Sequence, residues 1–293
     1  GSKRLHRLIH IYLPGTDCHS HRYGPESQRD YLVRTLDPLV GGVLEALRGR
    51  QPLEEFYFVL TADHAQAGVA PDREHAVTPE RVARALAAAG RTAHDPHETG
   101  IPRRASAVAF NHGGSCLVYL RNSETGRWHT LPGLERDLLG TAAAITEVSG
   151  RRFEGMPPGW IDLILVRDHE KGRYVVCDTG GAVEAVEFFG RAGNRGRYPD
   201  AARRLRGLSG KRCPDMVLLA NYERGFHFGK RVEAGQHGSL CAEDSVVPML
   251  FAGPGITPDV IPGSCSIIDV APTIAALFDV PIPSADGRIL PIF

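Results

Sequence analysis

The 293-residue sequence carries no net charge: 34 Lys and Arg balance 34 Asp and Glu. A chain without a positive excess has no long-range pull on a phosphate backbone or an anionic lipid surface. That argues against a general nucleic-acid or membrane-surface binder. Lysine is scarce, occurring only at Lys3, Lys171, Lys211 and Lys230, so arginine supplies most of the positive charge. No apolar run approaches the roughly 20 residues of a spanning helix, and no stretch reads as a secretory leader. The six cysteines (Cys18, Cys116, Cys177, Cys213, Cys241, Cys265) are scattered. With no CxxC pair and no dense framework, the pattern argues against both a cysteine zinc site and a disulfide scaffold. No internal repeat or low-complexity tract is visible. What remains is a globular composition, 42% apolar, long enough for one large domain or two small ones. It is rich in one functional side chain, with 13 His. Histidine is the commonest metal ligand and the usual proton shuttle near neutral pH.

Along the chain, Arg7–Leu13 (RLIHIYL), ended by Pro14-Gly15, reads as a buried strand. A helix is expected over 26–48, where Leu32, Leu36, Leu39, Val40, Val43, Leu44 and Leu47 recur at three- and four-residue steps. Phe56–Thr61 (FYFVLT) reads as the next strand. Strand, loop, helix and strand predict a βαβ unit in a parallel sheet. A second helix is expected over 79–89, with Thr78 as N-cap and Pro79 at its first position. Between 102 and 214 the texture changes. AVAFNHGGSCLVYLRN with ETGRWHTL reads as one hairpin, and LILVRDHEKGRYVVCDTGG as another turning at Glu170-Lys171-Gly172. Leu134–Val148 between them reads as helix. Asp215–Ala220 and Val246–Ala252 read as strands, and Asp269 as the cap of a closing helix. The expected fold is α/β: a mostly parallel sheet flanked by helices. Its core would be residues 1–101 and 215–293, with an α+β subdomain inserted over 102–214.

Three loops carry candidate chemistry. Asp17 and His21 lie four apart, close enough to share one ion if the loop enters a helical turn, while His19 would point elsewhere. Asp63-His64 follows the second strand. His237 sits in Gly235-Gln236-His237-Gly238, where glycines would let the backbone approach a ligand closely. Each loop alone reads first as a polar turn or a structural histidine. Together they supply two carboxylates and three imidazoles. Mixed nitrogen and oxygen ligands suit Zn²⁺ better than Mg²⁺ or Ca²⁺, and five ligands fit two ions better than one. Thr16, Ser20 and Thr61 offer hydroxyls near these ligands, read as supporting groups. His112 reads as structural and His227 as a core or pocket residue. Arg191, Arg195 and Arg197 could meet a phosphate, but a solvated loop is the preferred reading.

The order of these motifs resembles the alkaline phosphatase superfamily, in its type I phosphodiesterase/nucleotide pyrophosphatase branch. The matching stretches are IYLPGTDCHSHRYGP, FYFVLTADHAQAG, AGQHGSLCAEDSVVPMLFAGPGI and SIIDVAPTIAALFDVPIPSADGR. They cover roughly 1–70 and 230–293. The resemblance implies one metal site from Asp17, His21 and His237 and a second containing Asp63 and His64. It implies two zinc ions and a small phosphodiester or nucleotide-like substrate, with no nucleic-acid polymer as partner. In the family the second site also uses an upstream Asp and a nucleophilic Thr or Ser. No stretch here matches that segment, so the nucleophile is expected to be missing from this chain. Ala65 stands where the family often has Gly. A phosphomonoesterase, phosphomutase or sulfatase relative is the alternative on the same scaffold. A non-catalytic metal-binding or interaction domain is the alternative from another class.

Overall fold

A computed structural model of the chain describes residues 8–94, 104–178, 181–258 and 263–292. The chain forms two compact units, Gly1–Leu32 with Gln66–Ser245, and Val33–Ala65 with Val246–Phe293. The strands, in chain order, are β1 (Phe58–Thr61), β2 (Ala67–Gly68), β3 (Ala76–Val77), β4 (Ala93–His94), β5 (Ala107–His112), β6 (Ser115–Leu120), β7 (Ile161–Asp168), β8 (Arg173–Asp178), β9 (Gly181–Glu184), β10 (Met216–Ala220), β11 (His227–Phe228), β12 (Gly235–Gln236) and β13 (Met249–Ala252).

The larger unit is built on a seven-stranded sheet of order β4-β5-β6-β10-β7-β8-β9. All its neighbours are antiparallel except β4 and β5. The α/β class is as expected, but parallel pairing is confined to β4–β5 and the short β3–β11 ladder. The physical reason lies in the connections. Gly113-Gly114 turns β5 directly into β6, and a two-residue turn permits only antiparallel neighbours. The first hairpin therefore closes inside AVAFNHGGSCLVYL, and ETGRWHTL forms no strand. The second hairpin turns at the expected residues, where the Asp168 carboxylate accepts from the backbone N–H of Glu170 and Lys171 at 3.1 Å.

β10 is buried along its whole length between β6 and β7. Helix Pro79–Ala88 presses Val82, Ala85 and Leu86 into the core, and helix Gly140–Ser149 adds Ile145 and Val148. Thr78 caps the first of these as expected, accepting from Arg81 N. Trp160 and Phe228 meet edge to face with centroids 6.4 Å apart, both fully buried. Side chains of this size stabilise by about 1.5–3 kcal/mol each when buried.

The smaller unit pairs β1 with β13, antiparallel, with Phe58 opposite Ala252. The expected helix over 26–48 is present as a series of turns of different pitch. Its longest regular piece, Asp37–Arg48, buries none of its residues fully. The closing helix, Val270–Leu277, follows a 3₁₀ turn, Ile267–Asp269, whose capping box joins Ser266 and Asp269; the Asp269 side chain turns back to Ser266 N and so does not cap the helix as expected. One expected strand is not formed. Arg7 lies outside the described residues; residues 8–13 form no strand, and Leu8, Ile9, Ile11, Tyr12 and Leu13 are exposed. An apolar run becomes a strand only where a neighbour offers ladder partners for its N–H and C=O groups.

Candidate metal centre

Pro14-Gly15-Thr16-Asp17 opens a helix, Gly15–Tyr23, where a plain loop was expected. Asp17 in the first turn and His21 with Arg22 in the last complement the helix dipole. The helix puts Asp17 and His21 on one face, with His21 Nε2 3.4 Å from Asp17 Oδ1. His19 points away, stacking on Tyr31 with ring centroids 4.8 Å apart.

His237 reaches the same carboxylate from 220 residues further along the chain. β12 pairs with β2, Gly235 opposite Gly68, and Ala234 N donates to His21 O at 2.8 Å. These bonds pin the strand that leads to His237 onto the end of the helix. His237 Nε2 then lies 3.7 Å from Asp17 Oδ1, and the two imidazole rings are 5.1 Å apart. The flanking glycines serve this approach to protein backbone. A Cβ at Gly235 would stand 2.5 Å from Ser20 O, and one at Gly238 (φ +100°) 2.9 Å from His112 O.

The electrostatics of the cluster point to a cation. His21 Nδ1 is 2.8 Å from Gly235 O. A carbonyl only accepts, so Nδ1 donates to it, and Nε2 is the ring nitrogen that faces Asp17 Oδ1 at 3.4 Å. The donor set of one carboxylate and two imidazoles fits a divalent metal ion with mixed ligands.

Supporting residues escaped the sequence reading. Buried Gln66 donates through Nε2 to Asp17 Oδ1 at 2.5 Å and to Asp17 O at 3.2 Å, fixing the carboxylate from behind. Glu233 Oε2 lies 3.8 Å from His21 Nδ1 and accepts from Gln236. Buried Asp244 holds the loop after His237, accepting from Ser239 N at 2.7 Å and Tyr222 OH at 3.1 Å. Gln66 and Asp244 stand inside the matched motifs, and Glu233 immediately precedes one. Ser20 is buried and accepts from Gln28 at 2.9 Å, in keeping with a supporting role.

Asp63 and His64 follow β1 in the smaller unit. There the Asp63 carboxylate accepts from His64 N at 3.2 Å, and His64 Nδ1 is 3.0 Å from Ala65 O. Of the arginines considered for phosphate, Arg191 pairs with Asp178 at 2.8 Å and Arg197 with Asp162 at 2.7 Å. Arg195 donates to Gly190 O at 2.7 Å. His227 is fully buried, and burial lowers its pKa below the usual histidine range. All six cysteines are free.

Residues 3–148 match the family model described as type I phosphodiesterase / nucleotide pyrophosphatase. The chain belongs to this family, and so to the alkaline phosphatase superfamily. The match contains Asp17, His21, Asp63 and His64, and His237 lies beyond it. No curated protein shows significant similarity to the chain. Members of the family act on small phosphodiesters and are typically metal-dependent, and Asp17 and His237 are among the residues placed to hold such a metal.

Proposed function

We propose that the chain carries the zinc-binding apparatus of a phosphodiester or nucleotide pyrophosphate hydrolase. Asp17, His21 and His237 hold one ion. Asp63 and His64 serve a second, as the family resemblance implies. The observation that carries this reading is the convergence of His21 Nε2 and His237 Nε2 on Asp17 Oδ1, at 3.4 and 3.7 Å.

A bound zinc supplies Lewis acidity, lowering the pKa of a coordinated oxygen and neutralising charge that develops on phosphorus oxygens. The residues of the chain do the positioning. Gly235 O holds the His21 ring in one orientation, and Gln66 holds the Asp17 carboxylate in another. The loop beyond His237 is fixed by Asp244. Ligands held this way reorganise little on binding, which is what preserves affinity and geometry in a catalytic site.

Elemental analysis tests the reading directly. The purified protein should retain zinc, and a variant with Asp17→Ala and His237→Ala should lose one ion per chain. Unchanged zinc content in that variant overturns the assignment. Zinc-dependent binding of a phosphodiester, a phosphomonoester and a sulfate ester, which needs no nucleophile, then separates the phosphodiesterase reading from its relatives on the same scaffold.

A further inference from the structure

The backbone that follows His237 is held at several points. Gly114 N donates to His237 O at 2.6 Å. The Asp244 carboxylate accepts from Ser239 N, and Ser239 Oγ accepts from Cys241 N at 2.9 Å. The carbonyls of Ser239 and Leu240 both go to one side chain. Arg204 donates to Ser239 O through Nη2 at 3.2 Å and to Leu240 O through Nη1 at 3.3 Å.

Arg204 lies in helix Ala201–Arg206 with Arg203 and Arg206, which stay exposed. Arg203 pairs with Asp200 at 3.2 Å. Arg204 instead is half-buried and makes no ion pair among the described residues. Burial pushes its pKa below the usual arginine value, against the opposing pull of the Asp244 carboxylate. Two neutral carbonyls do not require a cation, and desolvating one to hold them is costly. What a guanidinium adds is a planar fork with fixed donor directions, which holds two successive acceptors in one geometry. Gly238, the link between His237 and Ser239, is the least stiff kind of residue. The placement of His237 Nε2, 3.7 Å from Asp17 Oδ1, therefore depends on what anchors the backbone on either side.

We propose that Arg204 is a positioning residue for the metal centre. Its guanidinium sets the backbone after His237, as the β12–β2 ladder sets the backbone before it. The segment 102–214, distinct in texture in the sequence, thereby helps to set zinc affinity through a residue that is not itself a ligand. This inference rests on the reading of Asp17, His21 and His237 as zinc ligands. The direction of the effect separates positioning from charge. Removing a cation near a divalent ion lowers repulsion, so electrostatics alone predicts tighter zinc binding. Loss of positioning predicts weaker binding.

Zinc affinity, read by competition with a chromophoric chelator, tests this. Arg204→Met keeps the apolar stem and removes both donors. It should weaken zinc binding about 10–100-fold, the range for groups that orient metal ligands. Arg204→Lys should recover part of the loss, since an ammonium lacks the fork. Arg203→Met removes the same charge from the same helix and should leave the affinity within about twofold of wild type. Circular dichroism of the metal-free variants shows whether each is folded at the temperature of the titration. Should Arg204→Met fail to fold, Arg204→Lys carries the test and should bind zinc about threefold more weakly, in line with one lost hydrogen bond. Unchanged or tighter zinc binding in a folded Arg204 variant overturns the proposal, as does equal weakening in Arg203→Met. A wild-type protein that binds no zinc, or whose zinc content survives Asp17→Ala with His237→Ala, sinks the ligand reading itself and the proposal with it.

Discussion

The two units of this protein are held by different physics. The larger buries Trp160, Phe226, Leu218, Met216 and Ile145 almost completely around a seven-stranded sheet. In the smaller, full burial among the described residues is limited to Asp269, Pro272, Thr273, Ala275, Leu290 and Ile292. Leu39, Val43, Leu60, Val246 and Leu250 stay substantially exposed there. The candidate ligands divide along the same line. Asp17, His21 and His237 converge on a framework braced by a core, whereas Asp63 and His64 follow a strand with one neighbour. Preorganisation of a site is inherited from the packing beneath it.

The largest expected difference between the units is in their ion pairs. Arg91 meets Asp137 at 2.8 Å with both side chains buried. Arg91→Ala leaves a buried carboxylate without its counter-ion and should cost about 3–5 kcal/mol. The exposed Glu45–Arg48 pair of the smaller unit should be worth roughly 0–1 kcal/mol. Urea unfolding of both variants measures the contrast, and equal losses would erase it. The sign with pH follows from Asp137. Burial alone would raise its carboxyl, but hydrogen bonds from Ser123, Arg91 and Gly133 hold it below the ordinary aspartate range. The unfolded chain therefore takes up the proton first. The stabilisation is complete above about pH 4 and fades as pH falls through the folded value.

Metal binding comes next. Zinc at a hundred times its dissociation constant should stabilise the folded protein by about 2.7 kcal/mol per site. His21→Ala or His237→Ala should abolish the part belonging to the larger unit. Asp63→Ala should lower the stoichiometry while sparing that part. If Asp63→Ala removes all zinc, the larger unit does not hold an ion by itself, and the comparison breaks.

How much of this was legible in the sequence follows the range of the forces involved. Helices were legible where period and cap agree, as at Thr78, because those signals are local; Asp269 precedes the closing helix but makes no side-chain cap on it. The Asp17–His21 spacing was legible for the same reason. Strand partners were not: RLIHIYL has a strand's composition, but residues 8–13 have no neighbour to ladder with. The antiparallel sheet was hidden by strands that come together from distant parts of the chain, such as β10 between β6 and β7. Gln66, Glu233 and Asp244 were missed because a supporting residue is defined by what it touches.

Two glycines sharpen the contrast at intermediate size. Gly235→Ala should cost about 1–3 kcal/mol, since the new Cβ meets Ser20 O at 2.5 Å and Gln66 Oε1 at 2.7 Å. It should also weaken zinc binding, because the same backbone fixes His21. Gly41 lies in helix Asp37–Arg48, and a Cβ there meets nothing within 4 Å. Gly41→Ala should instead stabilise by roughly 0.5–1 kcal/mol, the helix-propensity difference. Thermal unfolding with and without zinc reads both, and a stabilising Gly235→Ala would show that the close approach is dispensable.

The smallest effect asks what holds the smaller unit where its core is thin. Ser266 and Asp269 form a capping box, and Asp269 N and O groups are tied further: its carboxylate accepts from Arg288 N at 3.0 Å, and Thr273 Oγ1 donates to its carbonyl at 2.6 Å. Polar bonds at one helix end therefore replace much of what burial does in the larger unit. Ser266→Ala removes one capping acceptor and should cost about 1 kcal/mol. If that cost is local, the amides of Val270–Leu277 should exchange about fivefold faster, while those of β10 keep their rate. Faster exchange in β10 as well would mean that the units unfold together, and the division drawn between core and cap would not describe how the chain is stabilised.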